Sequence, residues 1–354
     1  MVNIMKVKHT FAYYLPQFHE IEENNKWWGK GFTEWTNVRN AVQYGKKQEI
    51  RYPSELGYYI LDHAEIMEKQ YSLAIEHNID TFCFWHYWFD DEQTILEKPI
   101  DLLLESKVNV NFCFAWANHT WMNKTKNITL KEQKYNFDLE RYFKYLLKYF
   151  KDSRYRKIDN KPVFFIYDAK NAPNYFNLKE TFTSLAIEAG FDGMFFILEN
   201  CNEVDFEILG GDAFLNSGKF LAFRGVIHKA RDRIYYNLGK FSFKVPRFYK
   251  YESCVKYMNS DISKTGKEIP VIFPGWDSTI RHKKGGVCFY GTSPDTFEIN
   301  LQSAYDVLKE RSIDDRILVI KSWNEWAEGN FIEPCNIYGR SYLERFAKYF
   351  KSSI

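Results

Sequence analysis

A single (β/α)8 barrel with long βα loops is the fold this sequence predicts, and three observations predict it. Eight short apolar runs recur along the chain, most of them continuous, as in parallel strands buried on both faces. Helix-period segments separate most of these runs, so the order reads as alternating strand and helix. Polar and aromatic residues gather just past the C-terminal ends of the runs, where barrel enzymes build their sites.

The first run, residues 10–15, leads to Pro16-Gln17-Phe18-His19 and a glycine-punctuated aromatic loop over 24–35. Long loops after barrel strands commonly carry function. A helix over 64–78 precedes the second strand, 81–87, which ends in Trp85-His86-Tyr87-Trp88. A helix over 94–106 and the strand 111–117 follow, and the strand runs into Trp116-Ala117-Asn118-His119. Next come a helix over 138–150, a strand over 162–168, a helix over 178–189 and a strand over 193–199. The sixth strand, 213–217, has the weakest pattern, because residues 219–244 show no clean period. A helix over 249–263 leads to the seventh strand, 269–274, and to Gly275-Trp276-Asp277. A helix over 294–311 and the eighth strand, 317–322, follow, and a helix over 341–351 closes the chain. The competing architecture is a doubly wound open sheet, but no Gly-x-Gly-x-x-Gly turn follows the first strand. No repeat or Pro/Gly-rich linker divides the chain, so residues 1–354 read as one domain.

Composition narrows the function. Hydrophobic residues make up 45% of the chain, ample for a full core, and a net charge of +2 gives no argument for nucleic acid. Aromatic residues reach 19%, a surplus that serves either as core or as flat platforms for sugar rings. The six cysteines are scattered without a C-x-x-C pair, which predicts buried free thiols and no zinc or disulfide framework. Residues 1–8 lack a signal-peptide core, and no apolar run has membrane-spanning length. A cytoplasmic protein without an integral membrane segment is expected, in which the sequons at Asn118, Asn123 and Asn127 are chance matches. No cofactor and no metal site are expected, and the oligomeric state stays open.

The most informative stretch is Trp323-Asn324-Glu325-Trp326-Ala327-Glu328-Gly329, directly after the eighth strand. Two carboxylates beside aromatic surfaces at a strand end suit acid–base chemistry on a sugar. In a regular strand positions 325 and 328 would face opposite sides, so the chain must turn at 326–327. Around this pair the sequence offers Glu34 and Trp35 in the first loop, Tyr14 and His19 near the first strand end, and His86, His119 and Arg281. The tryptophans of the first loop either plug the barrel mouth or meet substrate. The histidines, with no H-x-x-x-H spacing, read as hydrogen-bond donors to sugar hydroxyls or as structural groups. Asp277 and Arg281 either pair with each other or bind substrate. Asp90-Asp91-Glu92 reads as a cap for the helix beginning near Thr94.

Taken together, these blocks resemble the WbsX-type, glycoside hydrolase family 99-like proteins of bacterial surface-polysaccharide loci, often labelled glycosyltransferases. The resemblance rests on Tyr13-Tyr14-Leu15-Pro16-Gln17-Phe18-His19 and Trp27-Trp28-Gly29-Lys30-Gly31-Phe32-Thr33-Glu34-Trp35. Similar blocks recur at 82–89, 112–118, 161–167, 275–281 and 322–334, covering nearly the whole chain. It implies a (β/α)8 barrel in which Glu325 is the base and Glu328 the acid, as in the related endo-α-mannosidases. By that resemblance the base deprotonates the sugar's 2-hydroxyl, a 1,2-anhydro sugar forms, and water opens it with net retention. Tyr14, His19, Glu34, Trp35, His86, Tyr87, Trp88, Trp116, Asn118, His119, Trp276, Asp277, Arg281, Asn324 and Trp326 are the expected substrate-binding residues. His119 and Ser278-Thr279-Ile280 depart from the family pattern, which bears on the sugar recognised.

With that resemblance, the reading is a retaining glycosidase or transglycosylase acting on α-linked manno- or rhamno-configured sugars of a bacterial surface polysaccharide or its precursor, an oligosaccharide or polysaccharide substrate. A glycosyltransferase and a non-catalytic carbohydrate-binding barrel are the alternatives.

Overall fold

The computed structural model describes residues 4–91, 94–123, 128–240, 244–264 and 266–353. Its wall is made of eight parallel strands. They are β1 His9–Tyr14, β2 Thr81–His86, β3 Phe112–Trp116, β4 Lys161–Ile166, β5 Phe195–Leu198, β6 Ala213–Phe214, β7 Val271–Ile272 and β8 Ile317–Ile320. Hydrogen-bonded neighbours follow the order β6-β5-β4-β3-β2-β1-β8-β7. The two ends of this order meet at Phe214, which donates to Lys267 O at 3.2 Å and accepts from Ile269 N at 2.7 Å. All eight expected strands are present, but β6 and β7 shorten to two residues each, because this seam is a single parallel bridge.

Continuous apolar runs make these strands because neither face meets water. Every residue of β1, β2, β3 and β8 is buried. Around the wall pack α1 Ala64–Glu76, α2 Lys98–Glu105, α3 Leu139–Phe150, α4 Tyr175–Glu188, α5 Glu203–Leu209, α6 Tyr251–Met258, α7 Pro294–Leu308 and α8 Ser341–Tyr349. Local chemistry sets their starts. Asp138 caps α3 by accepting from Glu140 N and Arg141 N at 2.9 and 3.1 Å. Ser293 forms a capping box before α7, with Pro294 at its first position, where the missing N–H costs nothing. Met5–Val7 pairs in parallel with Phe350–Ser352, joining the two ends of the described chain.

Some expectations need correcting. The helix read from 94 begins at Lys98, and Asp90 forms ion pairs with Lys131 and Lys134 rather than serving as its cap. Glu92 of that cluster, Asn127 of the third sequon and residues 241–243 lie outside the described residues. The stretch without a clean period holds a 3-10 turn, Ser217–Leu221, and a helix, Val226–Lys240. The helix read over 249–263 shortens to α6, because Arg247–Lys250 pairs as a strand with Val287–Tyr290. All six cysteines are buried and free.

The layer between wall and helices takes up much of the aromatic surplus. Trp116 is wholly buried and donates from Nε1 to Trp88 O at 3.1 Å. Trp88 stacks on Tyr142 of α3 at 4.5 Å, and His86 stacks on the same ring at 5.7 Å. Trp116→Ala is therefore expected to destabilise the protein by about 3–5 kcal/mol, read by urea denaturation.

Candidate active site

The glutamate pair sits on a tight hairpin after β8. Asn324–Glu325 pairs antiparallel with Asn330–Phe331, and a 3-10 turn over Trp326–Glu328 joins them, with Gly329 left-handed at φ 58°. The chain thus turns where the two carboxylates require it. Asn324 accepts from Leu15 N at 2.7 Å and donates to Leu15 O at 3.1 Å, fixing the hairpin to the exit of β1. Ser322 Oγ accepts from Glu325 N at 3.0 Å and donates to Asn330 O at 2.6 Å. Trp326 stacks on Phe331 and donates to Glu333, a buried carboxylate that also accepts from Gln70 at 2.7 Å. Burial pushes Glu333 up to about 7. A Cβ on Gly329 would lie 2.7 Å from Asp277 N, which donates to Glu328 O at 2.6 Å.

The two carboxylates have contrasting surroundings. Glu325 is buried, accepting from Trp85 Nε1 at 2.7 Å and from Asn330 Nδ2 at 3.3 Å. Burial, followed by the charge of Glu328, raises it to about 7 against the pull of Lys321, Trp85 and Arg281. Glu328 is more open and accepts from Arg281 Nη1 at 2.6 Å. Arg281 Nη2 reaches both oxygens of Glu34 at 2.8 and 3.0 Å. Glu34 in turn accepts from Ala327 N, inside the turn, at 3.0 Å. Burial opposes the Arg281 charge, yet Glu34, Glu328 and Glu325 hold it above the usual guanidinium range. Burial also raises Glu34, with Arg281 as its main counterweight.

Below Glu325 lies a second charged cluster. Glu199, just past β5, accepts from Tyr13 and Ser217 hydroxyls and from Lys321 Nζ at 3.2 Å. Lys321 also donates to Ser217 Oγ at 2.9 Å and sits 5.6–5.8 Å from the ring centroids of Tyr13, Trp85 and Tyr167.

The structure sorts the expected binding residues into three groups. Tyr87 and Arg281 lie with the two glutamates, and Trp276 and His119 stand on the loops after β7 and β3. Burial and then the Glu325 charge raise the Tyr87 hydroxyl, Trp276 is half-buried against Phe220, and exposed His119 lies 5.2 Å from Tyr167. A second group holds the loops in place. Trp35 donates to Tyr59 O at 2.6 Å, and Asn118 bonds both Asp168 N and Asp168 O at 2.8 Å. His19 lies against Pro16 O at 3.0 Å and is lowered to about 4 by burial. Asp277 does not pair with Arg281 but accepts from Gln48 at 2.6 Å and from Thr279 N at 3.0 Å. Glu34, at 1% exposure, and the wholly buried Asn324 and Trp326 belong with them, behind the surface that a sugar could reach.

Tyr14, His86, Trp88 and Trp116 form the third group, which faces the helices instead of the mouth. Tyr14 donates to Gln70 of α1 at 2.6 Å, and burial lowers His86 to about 3. Sequence reasoning missed Tyr13, Trp85, Tyr167, Glu199, Ser217, Lys321 and Asn330. The polar residues Glu199 and Lys321, each ending an apolar run, were the available signal.

The architecture is a (β/α)8 barrel of the kind seen in glycoside hydrolase folds. The structure resembles a GH99 endo-α-mannosidase from Bacteroides thetaiotaomicron with TM-score 0.55 and 19% identity, covering 97% of this chain and 96% of that one. It also resembles a glycoside hydrolase-like protein with TM-score 0.64 and 14% identity, over 99% and 95% of the two chains. The chain belongs to the family described as glycosyltransferase WbsX, whose family model matches residues 10–346. The WxcX protein of Xanthomonas campestris pv. campestris strain B100 is 28% identical over 341 residues, covering 94% of this chain and 48% of that protein. The chain thus spans about half the length of the curated relatives it matches.

Two glycines separate backbone strain from close packing. Gly329 at φ 58° abuts Asp277, whereas Gly57 at φ 61° has open space around its would-be Cβ. Gly57→Ala is expected to cost only the left-handed penalty of about 1–2 kcal/mol. Gly329→Ala should lower the melting temperature clearly further, and equal losses in the two variants would show that the contact with Asp277 does not matter.

Proposed function

We propose that this barrel is a retaining glycoside hydrolase or transglycosylase acting on α-linked manno- or rhamno-configured residues of a bacterial surface polysaccharide or its precursor. The observation that carries this reading is one tight turn presenting two carboxylates in contrasting environments at the barrel mouth. Glu325, pushed up to about 7 by burial, is a stronger base than an ordinary carboxylate and takes the proton of the sugar's 2-hydroxyl as that oxygen attacks. The 2-oxygen then displaces the leaving group from the anomeric carbon, which requires it to lie trans to that group. Glu328 protonates the departing oxygen, and Arg281 engages only its Oε1, leaving Oε2 without a protein partner among the described residues. Water activated by the Glu328 carboxylate next opens the 1,2-anhydro sugar at the anomeric carbon. The proton held on Glu325 passes to the 2-oxygen.

The family description favours a second reading, transfer from an activated sugar donor. A diphosphate donor needs free cations, whereas Arg281 is committed to Glu34 and Glu328, and Lys321 to Glu199. That allocation supports hydrolysis.

Wild type, Glu325→Gln and Glu328→Gln should be incubated with α-mannosyl and α-rhamnosyl oligosaccharides and with bacterial surface polysaccharide. Release of reducing ends by wild type, reduced at least about 100-fold in both variants, is the expected result. Equal release by all three would remove both glutamates from the mechanism. A strict nucleotide-sugar requirement would favour transfer, and binding without turnover a carbohydrate-binding barrel.

The pH profile tests the roles separately. A base works only when ionised, so kcat/KM should rise with pH through about 7 as Glu325 loses its proton. A fall through the same range would make Glu325 the acid and reverse the assignment.

A further inference from the structure

We infer that Lys321 is a positioning residue for Glu325, acting through a buried floor assembled from five strands' ends. The inference rests on the proposed role of Glu325 as a base, but its geometry stands independently. Tyr13 lies in β1, Trp85 in β2, Glu199 just past β5, Ser217 past β6 and Lys321 directly after β8. Lys321 is held by Glu199 at 3.2 Å and Ser217 at 2.9 Å, and Glu199 also accepts the Tyr13 hydroxyl. The Tyr13 ring stacks on Trp85 at 4.4 Å and 6° between planes. Trp85 points its indole N–H at Glu325 Oε1, 2.7 Å away. The chain of contact is therefore Lys321 to Glu199 to Tyr13 to Trp85 to Glu325.

Two effects follow from this arrangement. First, the ion pair fixes the Tyr13–Trp85 stack, and the stack aims the only indole donor recorded on Glu325 among the described residues. Second, Lys321 brings a positive charge to the floor beneath a buried carboxylate. Among the groups favouring the ionised form of Glu325, Lys321 ranks ahead of Trp85 and Arg281. The other groups around Glu325 are Glu328 on the same turn, Arg281 with Glu34 across the mouth, and Tyr87 from the end of β2. Tyr13, Tyr167 and Glu199 line the floor. Glu328 opposes ionisation, and Arg281 is shared between two carboxylates, so Lys321 is the cation least diverted by groups at the mouth.

The test does not need a substrate. Glutamate labelled with 13C at the side-chain carboxyl reports the titration of Glu325, assigned by its loss in Glu325→Gln. In Lys321→Met the midpoint should move upward by about one pH unit, the scale on which a neighbouring opposite charge acts. In Lys321→Arg, which keeps the charge, it should stay with wild type. Where an oligosaccharide is turned over, the acid limb of kcat/KM should move with the midpoint.

Lys321→Met leaves Glu199 buried without its cation, so Lys321→Met/Glu199→Gln provides a second variant with neither charge. A smaller upward movement is expected there, because the opposing charge of Glu199 is removed together with that of Lys321. An unmoved midpoint in a folded Met variant, or an equal shift in the Arg variant, would overturn the inference. Unchanged activity in Glu325→Gln beside a shifted midpoint would instead overturn the proposed function alone.

Discussion

The mouth of this barrel depends on one shared cation. Arg281, from the loop after β7, holds Glu34 from the loop after β1 and Glu328 from the turn after β8. Glu34 also grips the backbone of that turn at Ala327, so a single guanidinium and one carboxylate join three loops. A planar fork with fixed donors suits this task, because it can meet two carboxylates at once in defined directions. Breaking the arrangement would leave Glu34, almost wholly enclosed, as a buried charge without its cation, and such orphaned charges are among the costliest defects in a fold.

That bridge also explains why the two candidate catalytic groups differ. Glu328 shares a cation and stays partly open, whereas Glu325 is enclosed by Trp85, Asn330 and the floor beneath it. Burial penalises a charge that water can no longer solvate, and a neighbouring carboxylate adds to the penalty. The same four-residue stretch therefore yields two different carboxylic acids. The difference lies in which strand end closes over each side chain, since the intervening turn gives both the same chemical type.

How much of this was legible in the sequence follows from the same physics. Strands buried on both faces read as unbroken apolar runs, so their number and order could be read directly, as could the Glu325–Glu328 pair. An unbroken run carries no alternation to show which face points inward. Tyr13 and Tyr14 are adjacent and chemically alike, yet one stacks on Trp85 inside the barrel and the other bonds Gln70 on a helix. Likewise Trp85 meets Glu325 while His86 packs against α3. The aromatic cluster after each strand was legible as a cluster, but its division into mouth and wall was not. Arg281 and Glu328 meet only because β7 and β8 are neighbours, and Lys321 finds Glu199 only across the barrel interior.

The balance of charge bears on what the site can accept. Four carboxylates, Glu34, Glu199, Glu325 and Glu328, surround two cations, Arg281 and Lys321, in a space largely closed to water. In such an environment an uncompensated negative charge is expensive, and taking up a proton is the least costly relief. Such a proton belongs to the site itself. Acid–base catalysis on an uncharged sugar needs a proton that moves between groups without leaving the site. An anionic donor entering the same mouth would add charge where there is already an excess, and Arg281 and Lys321 are both already paired with carboxylates. If Glu325 acts as the proposed base, the same excess of carboxylates favours an uncharged sugar over an anionic donor at this mouth.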